Sequence, residues 1–155
     1  VRFYYRFVDK FRSELDYRNY KDLYHTHIRP YLNDYMGRYA FEDICHQYLR
    51  INGGKLFDEP IRNASRYWSR DGSIEIDIVA RLDDGSLVAG ECKWSSSQVG
   101  VNVYYNLMEK VSKVQIFNNK GIKYLLFSTA GFDDNMVSTA KKDGVVLVTG
   151  DDLLK

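Results

Sequence analysis

The chain has 155 residues, a length that suits one domain with a substantial core. Its formal net charge of +1 gives no global attraction to nucleic acid, so phosphate binding must come from a local patch or a metal ion. No apolar run approaches the roughly 20 residues of a membrane span, and no signal peptide, disulfide framework or zinc-ligand spacing is visible, which predicts a cytoplasmic protein with no membrane association.

Aromatic residues are dense, with 13 Tyr and 8 Phe, and many precede residue 40, so that region is expected to bury aromatic surface. Phe3, Phe7 and Phe11 recur every four residues, and Tyr17, Tyr20 and Tyr24 follow at helix-compatible spacing. Residues 1–36 therefore read as a helical segment. His25 and His27 stand two apart, so on a helix they diverge, and no third ligand accompanies them. The opening at Val1, without Met, predicts a fragment in which residues 1–36 link to an upstream region.

Residues 37–155 read as a second domain. A helix is predicted over 39–49, with Phe41, Ile44, Cys45, Tyr48 and Leu49 on one stripe and Glu42 beside it. Asn52-Gly53-Gly54 is expected to end it. A weak strand signal covers 64–68. Residues 74–82 alternate apolar and polar, Asp83-Asp84-Gly85 supplies a turn, and residues 87–94 return.

The turn fixes the register by pairing Leu82 with Ser86. Asp77 then falls opposite Glu91, and Glu75 opposite Lys93. Ile74, Ile76, Ile78, Ala80 and Leu82 share an apolar face with Val88, Gly90, Cys92 and Trp94, and a one-residue slip would destroy that match. Cys45 and Cys92 both fall among apolar neighbours and read as buried thiols. A helix is predicted over 102–118, with Tyr104, Leu107 and Val111 inward and Lys110 and Lys113 outward. Strands at 124–127 and 145–148 flank a helix opened by Asp133 and Asp134 and capped by Gly144, which reads as a parallel crossover. The fold class is mixed α/β.

Asp77 and Glu91 are like charges placed opposite each other, and such pairs destabilise a sheet unless something compensates. A divalent cation would do so, because Mg²⁺ binds carboxylates, water and substrate phosphates. The Cys92 carbonyl and Glu42 are candidate further ligands, and Lys93 can offset charge developing on phosphate. The same residues also fit the solvated face of an ordinary hairpin. Val79, Leu87 and Ala89 share that face, which argues that it is partly covered. Gln98, Lys110 and Lys113 are candidate substrate contacts, although solvated surface also accounts for the lysines. His46, one turn from Glu42, is a candidate to orient its carboxylate. Trp68 and Trp94 fit the core better than a base-stacking platform.

Glu42 on a helix, Asp77 on one strand and Glu91-Cys92-Lys93 on the next resemble the PD-(D/E)XK nuclease superfamily, with thirteen residues between Asp77 and Glu91. The resemblance implies a restriction-endonuclease-like αβββαβ core in which Asp77 and Glu91 bind Mg²⁺ or Mn²⁺ and Lys93 assists water. It implies a phosphodiesterase acting on nucleic acid, DNA in the first instance. Tyr35-Met36-Gly37, Phe41 to Cys45, Glu75 to Val79 and Gly90 to Trp94 further resemble an uncharacterised domain at the C-terminus of archaeal-type P-loop ATPases. That likeness implies upstream ATPase and winged-helix regions as partners. The alternative it leaves open is a catalytically inactive interaction domain of such an ATPase.

Overall fold

The structure, a computed structural model, describes residues 2–155; Val1, where the predicted N-terminal segment opens, lies outside them. The described residues form two compact units, divided between Ala40 and Phe41.

The first unit is helical but not one continuous helix. Helix α1 (Arg2–Phe7) gives way to a 3₁₀ stretch (Asp9–Glu14), then α2 (Tyr20–Leu23), a π turn (Tyr24–Ile28), α3 (Arg29–Tyr35) and a second π turn (Met36–Ala40). The four-residue phenylalanine spacing breaks at Phe11 (φ −116°, ψ 18°), whose ring instead stacks on His27 with centroids 3.8 Å apart. His27 also reaches Glu14 Oε2 at 3.3 Å, while His25 faces Arg29, so the two histidines have separate partners. Phe7, Leu23 and Tyr35 are buried, and Phe3, Phe7 and Tyr35 pack ring against ring. Tyr5, Tyr17, Tyr20 and Tyr31 are exposed, against the expectation that the aromatic surface here would be covered.

The second unit is a five-stranded sheet in sequential order: β1 (Ile61–Trp68), β2 (Glu75–Leu82), β3 (Leu87–Lys93), β4 (Ile122–Ser128) and β5 (Val146–Thr149). The first three strands are antiparallel, and β3, β4 and β5 are parallel. Parallel neighbours need crossovers, supplied by α5 (Val101–Ser112) and α6 (Asp134–Asp143). Helix α4 (Phe41–Phe57) precedes β1. The order from α4 is therefore the expected αβββαβ, extended by α6 and β5.

Both faces of the sheet are covered. Phe41, Cys45, Leu49 and Phe57 of α4 pack with Ile78, Val88, Leu125 and Phe127. Leu107 and Val111 of α5 and Met136 of α6 pack against the other face, on Ile76, Ala89 and Leu126. Asp133 caps α6 by accepting from the Met136 N–H at 2.7 Å, and Gly144 ends it at φ 72°, as the sequence predicts.

Two expectations fail for packing reasons. Helix α4 does not stop at Asn52-Gly53-Gly54 but runs on to Phe57, and Asp58 (φ 54°) turns the chain. Gly53 is buried under β1, and a Cβ there would collide with the Ile61 side chain. The glycine permits close helix-on-strand approach, and tertiary packing overrides its low helix propensity. Helix α5 ends near Ser112 rather than at 118, because Val114 turns extended (φ −110°, ψ 115°) and both Val114 and Phe117 enter the core.

Candidate active site

The site is built by the two strands of the predicted hairpin. Their pairing runs from Arg81–Leu87 to Ile78–Gly90, and the Leu82 N–H donates to Ser86 O at 3.0 Å, so the register read from the turn is the one observed. The recorded ladder stops one pair short of Asp77–Glu91. The expected Glu75–Lys93 pair does not form: Glu75 pairs with Trp68 of β1 and accepts from its indole N–H at 2.9 Å. Trp68 is thus half exposed on the edge strand rather than in the core, and Trp94, on the rim of Phe41, is partly exposed too.

A β-bulge explains the divergence. Ser65 pairs with Val79 and Tyr67 with Ile76, so Asp77 and Ile78 together oppose the single residue Arg66. Such an insertion bends a strand and re-aims its side chains. Ile76 consequently joins the α5-side core while Ile78 stays on the α4 side, which corrects the prediction of one shared isoleucine face. Asp77 lies in this bulge, where its Oδ2 accepts the Cys92 N–H at 2.8 Å and its backbone carbonyl accepts from His46 Nε2 at 2.8 Å. A carbonyl can only accept, so His46 carries its proton on Nε2. His46 therefore steadies the Asp77 backbone, not the Glu42 carboxylate.

Glu91 faces α5. It is only 6% exposed, and Asp77 8%. Lys93 Nζ donates to Glu91 Oε1 at 2.7 Å, and Lys110 Nζ of α5 reaches Oε1 at 3.3 Å and Oε2 at 3.1 Å. The hairpin face carrying Leu87, Ala89 and Glu91 is thus roofed by a helix, and the reading of a plain solvated face does not hold. Lys110 lies over Glu91 instead of pointing into solvent. Lys113 does point outward and pairs with Glu109 at 2.7 Å, while Gln98 is exposed in the loop after β3. Lys123 donates to the Phe57 carbonyl at 3.1 Å.

The electrostatics follow from this burial. Desolvation, reinforced by the neighbouring Glu91 charge, pushes the Asp77 carboxyl up to about 6. Burial works against the Lys93 ammonium, but its hydrogen bond to Glu91 prevails and holds the group above the usual lysine value. Lys93 is therefore a cation and donor at neutral pH, not a base. The Cys92 thiol, beside Cys45 in the α4-side core, is pushed far up by that contact and by burial, so it is inert. Glu42 lies near enough to raise Asp77 but is held by Arg66, Nε to Oε2 at 2.9 Å, and Arg66 also holds Asp43 at 2.7 Å.

The donor set suits a hard divalent cation. Every candidate ligand atom is oxygen: the Asp77 and Glu91 carboxylates, the Cys92 backbone carbonyl and, further out, Glu42. Asp77 Oδ2 takes the Cys92 N–H, which leaves Oδ1 open to solvent. The one fully buried side-chain polar atom without a hydrogen bond among the described residues is Arg66 Nε, which lies 2.9 Å from Glu42 Oε2. No group of three or more His, Cys, Asp or Glu able to hold an ion alone exists among those residues, so water and substrate would have to complete the shell.

Arg66, His46 and Asn106 are the neighbours that sequence reading missed or misassigned. Arg66 sits opposite the bulge, and nothing in a weak strand signal marks that position. Asn106 follows from helical spacing, four residues before Lys110, once Lys110 is known to face the site.

The family DUF234, described as "Archaea bacterial proteins of unknown function", matches residues 4–112. The chain belongs to this family. The DUF234 match takes in Asp77, Glu91, Lys93 and Lys110. No curated protein matches the sequence. Among solved structures, the chain resembles an ATP-dependent Type ISP restriction-modification enzyme, LlaBIII, bound to DNA, with 20% identity and a TM-score of 0.56 over 79% of this chain and 8% of that one. It also resembles the MspJI restriction endonuclease in complex with a 27-mer oligonucleotide, with 16% identity and a TM-score of 0.54 over 79% of this chain and 28% of that one. A repair endonuclease from Pyrococcus abyssi matches at 14% identity and a TM-score of 0.49 over 70% of this chain and 46% of that one. This DUF234 chain thus spans less than half the length of each. At these identities the likeness is one of fold, and the fold is restriction-endonuclease-like.

Proposed function

We propose that this DUF234 chain is a Mg²⁺- or Mn²⁺-dependent phosphodiesterase acting on nucleic acid, with DNA as the first substrate to test. The observation that carries the reading is the burial of two carboxylates, Asp77 and Glu91, at the point where β2 bulges and parts from β3, with Lys93 beside them. Stability alone would not select that arrangement, since buried like charges cost free energy.

Asp77 and Glu91 would hold the ion, with the Cys92 carbonyl beside them and Glu42 as an outer partner. When bound, the ion eases negative charge at the phosphate and makes water a better nucleophile. The chain's own groups do the rest. The Cys92 N–H and His46 fix Asp77 through its carboxylate and its carbonyl. Lys93, kept protonated by Glu91, donates to the phosphate oxygen on which charge grows. Resemblance to the C-terminal domain of archaeal-type P-loop ATPases adds the proposal that this domain works beside upstream ATPase and winged-helix regions in the cytoplasm.

A second reading has its own support. Glu91 is saturated by two ammonium groups and Glu42 is held by Arg66, which suits an inactive acidic site, and the exposed tyrosines of the first unit suit protein contact. The two part in one experiment. Nicking of plasmid DNA with Mg²⁺ or Mn²⁺ is expected from the wild type and should be lost in Asp77→Ala and Lys93→Ala with the fold intact. Equal nicking by Asp77→Ala would sink the phosphodiesterase reading, and calorimetric titration of Mn²⁺ checks that the same substitution removes ion binding.

A further inference from the structure

A cavity of about 120 Å³ opens beside Glu91, lined by Glu91 and Lys93 of β3 and by Val103, Asn106 and Lys110 of α5. It has room for a few waters, each of which takes roughly 30 Å³. Val103, Asn106 and Lys110 recur at steps of three and four and so form one stripe of the helix.

The polar inventory of this cavity is unbalanced. Its acceptor is the Glu91 carboxylate, which takes three hydrogen bonds from Lys93 and Lys110. Each ammonium carries three N–H donors, so half of the donors on the two lysines remain unspent. The Asn106 amide, exposed at the mouth of the cavity, adds two donors and one acceptor oxygen and makes no hydrogen bond to another described residue. Two cations meet on Glu91 at the cavity wall, while the second carboxylate of the pair, Asp77, is not among the cavity's lining residues. Neutralising Glu91 alone would need neither the second lysine nor an amide on the same helix stripe. A small cavity with surplus cationic donors matches a tetrahedral oxyanion.

We propose that Lys110 and Asn106 of α5, together with Lys93, form an oxyanion site that seats a backbone phosphate of nucleic acid directly beside Glu91. The choice of nucleic acid as ligand rests on the phosphodiesterase reading; the donor surplus does not. The site makes Lys110 a phosphate contact that keeps one hand on Glu91, rather than a helix-surface charge.

The test measures binding of a short labelled single-stranded oligonucleotide by fluorescence anisotropy in EDTA, with inorganic phosphate as competitor. Asn106→Glu leaves the Glu91 pairs intact and puts a carboxylate into the cavity, so it should weaken binding about tenfold and abolish competition by phosphate. Lys110→Met should weaken binding several-fold and reduce the salt slope by about 0.7, the share of one phosphate on a single strand, and Lys110→Arg should restore both. Wild-type affinity in Asn106→Glu at an unchanged melting temperature overturns the proposal, as does a wild type that binds neither probe. Nicking is scored separately. Ion-dependent nicking with binding indifferent to both α5 substitutions removes the oxyanion site alone, whereas binding that responds to them without any nicking removes the phosphodiesterase reading alone.

Discussion

At the scale of single residues, Asp77 holds the largest consequence. Its folded carboxyl titrates near 6 against an ordinary 3.8, so the folded state binds this proton more tightly than the unfolded chain does. Stability from this group is therefore full below about pH 4 and is lost as pH rises through 6. Two units correspond to an upper bound of about 3 kcal/mol at 1.36 kcal/mol per unit. Asp77→Asn keeps an oxygen for the Cys92 N–H and removes the charge. Urea unfolding should show the variant more stable than wild type at pH 8, by about 1–3 kcal/mol, with the gap narrowing to about a third of that at pH 4.5 and closing below about pH 4; equal stability at pH 8 would contradict the burial argument. Ion binding should weaken below pH 6 for the same reason, since a protonated Asp77 is no ligand. The placement of Asp77 on β2 and of Glu91 and Lys93 on β3 was legible in the sequence because alternation and turn length fix the hairpin register near the turn, but the bulge that parts the strands at Asp77 was not. Lys110 was misread because it lies outside the apolar stripe of α5, and a helix wheel cannot show that the flank of that stripe roofs Glu91.

At the scale of elements, β3 is the strand most tightly specified. It is buried on both faces and flanked by β2 and β4, and Gly90 sits at its centre. A Cβ at Gly90 would meet Ile78 Cβ and the Leu125 backbone oxygen, both at 3.1 Å. Neither can yield, since Ile78 is fully buried and Leu125 is held in the β4 ladder. Glycine here marks close approach rather than flexibility. Gly90→Ala should cost about 1–3 kcal/mol as overpacking, read as a lower melting temperature, and should weaken Mn²⁺ binding because Glu91 is the next residue. A variant with wild-type stability and ion affinity would show that β3 has slack. The strands, the crossovers and both caps of α6 follow from periodicity and cap chemistry. The bulge at Asp77 and the passage of α4 through Gly53-Gly54 do not, because each arises from packing against β1 rather than from local propensity: Arg66 faces the bulge, and Ile61 covers Gly53.

At the scale of the whole molecule, charge decides how nucleic acid would be held. The formal net charge is +1 and many cations are already engaged: Arg62 with Asp83, Arg66 with Glu42 and Asp43, Lys113 with Glu109, Lys123 with a backbone carbonyl. Composition carried this restraint, but could not say that two lysines meet on Glu91, because Lys93 and Lys110 come from a strand and a helix that meet only in the folded unit. With so little net charge, the chain is expected to hold a duplex through a few phosphates rather than along an extended basic track. Its affinity for DNA should fall with salt at a slope no steeper than about −3, the value for roughly three neutralised phosphates. Between 50 and 200 mM salt that is a loss of at most about 60-fold, where a protein with six to ten phosphate contacts loses about 10³-fold or more. Anisotropy titrations across that range, on duplex and single strand alike, measure it. A slope near −6 would mean that cations outside the Glu91 cavity carry the binding. A slope of −1 to −3 that flattens further in Lys110→Met would place it in the cavity, where a sheet otherwise covered on both faces leaves two ammonium groups beside a buried pair of carboxylates.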